Sequence, residues 1–155
     1  MRIISFLPRL PAARAGVPAG LPSAGVLNDA GTHVWPFDHV QAGSWPLTGW
    51  LDLDRAECAR ALARGQAFAH GGDAQGIVPL EAITLIAPVP RPGKLLCIGL
   101  NYRDHAAESG VPLPARPLLF SKFPSAIIGH GEAIELPDGS TEVDYEAELA
   151  VVMGR

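Results

Sequence analysis

Residues 95–110 read Leu-Leu-Cys-Ile-Gly-Leu-Asn-Tyr-Arg-Asp-His-Ala-Ala-Glu-Ser-Gly, and the change of character within this stretch decides the fold class. Leu95 to Leu100 is an unbroken apolar run of strand length, the pattern of a strand covered on both faces. Asn101 to Gly110 then supplies a cap, a body of small residues and a closing glycine, which predicts one short helix. Just upstream, Pro88-Val89-Pro90-Arg91-Pro92-Gly93 restricts the backbone at each proline and at the residue before it. We read this as a boundary, with a small β-rich domain over residues 1–87 and a second, better-packed domain over residues 88–155. The class is α+β, rich in strands.

Upstream of the boundary the signals are local. Arg2 to Leu7 carries β-formers, and Pro8 to Pro22 is so rich in Pro, Ala and Gly that it reads as a loop. Ala24-Gly25-Val26-Leu27, Asn28-Asp29-Ala30-Gly31 and Thr32-His33-Val34-Trp35 predict a β-hairpin that pairs with the first strand. Asp54-x-x-Glu57 has the form of a capping box. A short helix should follow, with Cys58, Ala61 and Leu62 as its apolar stripe and Gly65 as its stop.

Three stretches could carry chemistry. The first is the short helix itself, on which His105 and Glu108 lie at i and i+3 and share a face. A carboxylate there can orient the imidazole of a general base, although a surface His-Glu pair on a helix is also ordinary. The second is Glu142-Val143-Asp144-Tyr145-Glu146-Ala147-Glu148-Leu149, whose strict alternation predicts a strand with its acids on one face. Such acids either face water or converge on a hard divalent cation. The third is Leu118 to Gly131, an apolar strand running into polar residues. There Ser121, Lys122 and Ser125 could bind an acidic substrate, or Lys122 could simply face solvent, and His130 lies between two glycines.

Bulk properties narrow the class. The chain has 155 residues, is 48% hydrophobic and carries a formal net charge of -4, with no basic cluster, so neither nucleic acid nor an anionic membrane is an expected partner. Cys58 and Cys97 lack CxxC spacing and read as buried thiols. The apolar run at Met1 to Pro8 breaks too early for a signal peptide, and nothing later approaches the roughly 18 apolar residues of a membrane span. The expected location is therefore the cytoplasm. GxSxG, GxxxxGK[ST], GxGxxG, HExxH and EF-hand spacings are all missing.

In order, Pro92-Gly-Lys-Leu-Leu-Cys-Ile-Gly-Leu-Asn-Tyr-Arg-Asp-His-Ala-Ala-Glu108, then Leu119-Phe-Ser-Lys-Phe-Pro-Ser-Ala126, then Val143-Asp-Tyr-Glu-Ala-Glu-Leu-Ala-Val-Val152 resembles the catalytic-domain opening of the fumarylacetoacetate hydrolase family. The resemblance implies the first part of a mixed β-roll catalytic domain. It implies that Glu146 and Glu148 bind Mg²⁺ or Mn²⁺ and that His105 and Glu108 activate water. The implied reaction is hydrolysis of a C–C bond in a 2-oxo or diketo acid. Isomerases, decarboxylases and dehydratases acting on 2-hydroxymuconate-type substrates share the scaffold. Family members tend toward homodimers and continue well beyond the equivalent of Arg155, where a third acidic ligand lies. A truncated chain is therefore expected, holding a cation weakly through two glutamates. A non-catalytic assembly piece is the competing reading.

Overall fold

The computed structural model describes residues 1–9, 22–37, 54–72 and 75–153, which form two compact units, Met1–Val89 with Ile128–Arg155, and Pro90–Ile127. The stretch read as a proline-rich loop lies mostly outside the described residues.

In the first unit, β1 (Arg2–Pro8), β2 (Ser23–Leu27), β3 (His33–Pro36), β4 (Val78–Pro79) and β5 (Ile83–Ile86) build a sheet in the order β4-β3-β2-β1-β5, with every pairing antiparallel. The expected hairpin is present, with Val26 opposite Trp35 and Leu27 opposite Val34, and it pairs with β1 as anticipated. Its turn is made by two devices. The Asn28 Oδ1 accepts from the amides of Thr32 and His33, at 2.8 and 3.1 Å, and Gly31 takes the left-handed conformation at φ 71°.

Because neighbouring strand residues point to opposite sides, Val26 and Leu27 enter different cores. Leu27 packs with Phe6, Val34, Val78, Ala82 and Ile83, whereas Val26 packs with Trp35, Phe68 and Ala69. The last two belong to α1 (Arg55–Ala69), which lies on that face. Burying a side chain the size of Phe68 contributes roughly 2 kcal/mol.

The capping box at the start of α1 is complete: Asp54 Oδ1 accepts from the Glu57 amide at 2.8 Å, and Glu57 Oε2 accepts from the Asp54 amide at 3.1 Å. The helix does not stop at Gly65, as its sequence suggested. Gly65 is buried against Val26, and the helix continues until Gly71, at φ 90°, turns it off. The Gly71 amide donates to Phe68 and the Gly72 amide to Ala67, the paired bonds of a Schellman ending. The buried stripe is Ala61, Gly65, Phe68 and Ala69, while Cys58 and Leu62 are only half-buried.

The second unit is smaller. Strand β6 (Leu96–Gly99) pairs antiparallel with β7 (Leu118–Ser121), and α2 (Arg103–Glu108) lies between them in sequence. Here the structure corrects the sequence reading. The strand over residues 96–99 forms, but it is not covered on both faces: Leu96 and Ile98 are exposed, as are Leu118, Leu119 and Phe120 on its partner. Two strands form no second layer, so an apolar run of strand length is not evidence of burial. Cys97 is half-buried and not a buried thiol, as is Cys58.

Candidate active site

The turn from β6 into α2 passes through Leu100, which has φ 51° and is the one non-glycine residue with positive φ among the described residues. For a branched side chain this left-handed conformation costs roughly 1–2 kcal/mol, so the surrounding turn must hold it. Tyr102 then caps α2 without a side-chain hydrogen bond, in place of the Asn101 cap suggested by the sequence. Gly110 closes the helix as expected, at φ 64°. Its amide donates to Ala107 at 3.1 Å and that of Val111 to Ala106 at 3.0 Å.

This short helix presents His105 and Glu108 one turn apart, both exposed, while Ala106 is its buried residue. Among the described residues no hydrogen bond or ion pair joins the two side chains; the His105 amide instead donates to Asp104 Oδ1 at 3.0 Å. Such a pair can still meet a substrate from water, and catalytic hydrogen bonds are often long before substrate binds. At the end of β7, Ser121 lies opposite Leu96. The Lys122 amide donates to the Leu95 carbonyl at 3.1 Å, while its ammonium stands 5.9 Å from the Phe120 ring centroid. Both side chains are exposed, and Ser125 sits in the 3₁₀ turn Pro124–Ala126.

Glu146 and Glu148 belong to the other unit, in a segment the sequence predicted as a strand. The structure corrects that expectation: residues 142–149 form no strand and are exposed throughout, with Tyr145 87% accessible. Alternation gives a strand its two faces, but only a neighbouring strand supplies the hydrogen bonds, and none of the described strands pairs here. Two short-range bonds lie here, from the Tyr145 amide to Asp144 Oδ1 at 2.7 Å and from the Glu142 amide to Ser140 Oγ at 3.3 Å. Among the described residues no group of three or more His, Cys, Asp or Glu side chains is placed to hold a metal ion. As a donor set, two carboxylates suit a hard cation and make up part of its shell of about six oxygens.

Two arrangements escaped the sequence reading. His70 Nδ1 lies 2.9 Å from Asp29 Oδ2, joining the end of α1 to the hairpin turn, where the Asp29 amide also donates to Ala69. Nothing in a separation of 41 residues signals that pair. His130, read as a loop residue, lines an apolar cleft of about 400 Å³ with Ile3, Ile4, Leu85 and Ile128.

Comparison with known proteins adds the next constraint. Residues 94–155 match the family described as fumarylacetoacetate (FAA) hydrolase C-terminal. The whole chain is 38% identical, over 156 residues, to the rat protein named oxaloacetate tautomerase Fahd2a, mitochondrial, of which it covers 45%. It is 52% identical over 79 residues to bovine oxaloacetate tautomerase FAHD2A, mitochondrial, covering 51% of this chain and 25% of that protein. Against the human oxaloacetate tautomerase FAHD2A, mitochondrial, it is 42% identical over 110 residues, covering 71% of this chain and 34% of that protein. The chain thus spans less than half the length of these relatives. Their names overturn the expectation of a cytoplasmic location, since each is designated mitochondrial.

Proposed function

The chain belongs to the fumarylacetoacetate hydrolase family, and from that premise we propose that it serves the keto–enol tautomerisation of oxaloacetate or a closely related 2-oxo diacid. The observation that carries this reading is the 38% identity, across the full chain, to a protein named for that reaction. It moves the emphasis from C–C hydrolysis to the isomerase branch of the same scaffold.

Tautomerisation consumes no water and breaks no C–C bond. A proton leaves the carbon beside the 2-oxo group and one arrives at the oxo oxygen, or the reverse. His105 is the group suited to carry that proton, because imidazole both accepts and donates near neutral pH. Glu108, one turn further along α2, would orient the ring. Ser121 and Lys122, exposed at the end of β7, would bind a substrate carboxylate.

Glu146 and Glu148 offer the oxygen donors that Mg²⁺ or Mn²⁺ takes, and would contribute two of its ligands. When bound, such a cation supplies charge compensation for an enolate. Domains at residues 1–87 and 88–155, and a homodimer, complete the proposal.

The test is to follow enol oxaloacetate by ultraviolet absorbance with the protein in its natural full length, Mg²⁺ or Mn²⁺ present. Accelerated conversion to the keto form without pyruvate release supports the reading. A second reading, C–C hydrolysis by His105-activated water, rests on the family match over residues 94–155. Pyruvate release from an acylpyruvate, with no acceleration of oxaloacetate tautomerisation, would favour it. Absence of both activities and of metal binding would indicate an assembly module.

A further inference from the structure

Helix α2 is only six residues long, and an isolated helix of that length does not hold itself together in water. Its N-cap residue, Tyr102, makes no side-chain capping bond, and Ala106 is its buried residue. What precedes it is a residue in a costly conformation: Leu100, at φ 51°, in the turn that leaves β6 after Gly99. Backbone strain of this kind persists only where neighbouring structure over-determines it, and it concentrates where a side chain must be aimed.

We infer that Leu100 is a positioning residue whose left-handed backbone sets the direction in which α2 leaves β6, and so where the His105 imidazole stands. The role assigned to His105 rests on the proposed tautomerase reading; the backbone relationship does not. An extended conformation at residue 100 would send the following residues along the line of β6, away from their present course.

Two substitutions separate backbone from side chain. Leu100→Asn removes the apolar side chain but keeps a residue that tolerates the left-handed region, whereas Leu100→Val keeps an apolar side chain whose β-branch resists that region. Amide hydrogen exchange on the 155-residue chain reads the helix directly through Ser109, Gly110 and Val111, whose amides donate to His105, Ala107 and Ala106. Oxaloacetate tautomerisation by the natural full-length protein reads the consequence.

Leu100→Val should lose protection at these amides and lower kcat on the order of ten- to a hundredfold with KM little changed, as expected for a misplaced catalytic group. Leu100→Asn should keep both near the wild-type values. Equal damage by the two variants, or greater damage by Leu100→Asn, would assign the effect to the leucine side chain and overturn the inference, as would unchanged protection in Leu100→Val. If wild-type protein is inactive on oxaloacetate but α2 loosens only in Leu100→Val, the positioning inference stands and the tautomerase reading falls.

Discussion

Gly65 faces Val26 so closely that a Cβ placed on the glycine would lie 2.6 Å from Val26 Cγ2. Helix α1 and strand β2 therefore meet backbone against side chain, and the absence of a side chain at residue 65 is what admits Val26 to that core. Met1 Sδ would lie 3.3 Å away on the same side, so the new atom would be crowded from two directions.

Gly65→Ala should destabilise the first unit. Alanine gains about 1 kcal/mol of helix propensity over glycine, but overpacking a filled core costs roughly 1–3 kcal/mol, and Val26 is β-branched, fully buried and unable to swing aside. A net loss of roughly 1–2 kcal/mol is expected in urea unfolding. A more stable Gly65→Ala protein would contradict the packing described.

Asp54→Ala removes the side chain that accepts from the Glu57 amide and should cost about 1 kcal/mol, visible as a lower urea midpoint with an unchanged slope. Glu57→Ala should cost less, since it leaves that bond in place. The two losses should fall short of additive in the double variant, because both residues serve one box.

Glu146→Gln and Glu148→Gln should each weaken Mn²⁺ binding on the order of tenfold or more in calorimetric titration, because each removes a charged oxygen donor. Both side chains are exposed, so neither change should alter the unfolding midpoint. Unaltered affinity in both variants would remove them from the metal site.

His105→Ala should reduce tautomerisation roughly 10²- to 10⁴-fold, the range for loss of a general acid–base group. Glu108→Gln should cause a smaller fall, because it keeps the ring's neighbour and alters only its charge. Lys122→Met should raise KM and leave kcat nearly intact, the signature of a group that binds substrate and transition state equally. An unchanged rate in His105→Ala would end the assignment of α2 as the catalytic helix.

The features legible in the sequence are those whose causes lie within a few residues. The hairpin declared itself through Asn28 and Gly31, and the start of α1 through Asp54 and Glu57, since each bond joins near neighbours. Gly65 misled because a glycine marks a helix end or a close approach equally well, and only Val26, far away in sequence, decides which. Likewise the alternation from Glu142 to Leu149 was real but specified a strand only on condition of a partner, and no described strand provides one. His105 and Glu108 were singled out by their spacing together with the family resemblance, whereas nothing in the identity of Leu100 announces a positive φ. The location in the cell was not written in the residues that were read for it.

The open faces of β6 and β7 bear on how protein concentration enters measurements on this chain. Leu96, Ile98, Leu118, Leu119 and Phe120 stand exposed on a two-stranded sheet whose outer edges pair with no other described strand. A surface of that kind lowers its free energy by meeting another like it. Where two such surfaces meet, the apparent melting temperature of the 155-residue chain follows protein concentration by mass action, and comparisons between variants then hold only at matched dilution.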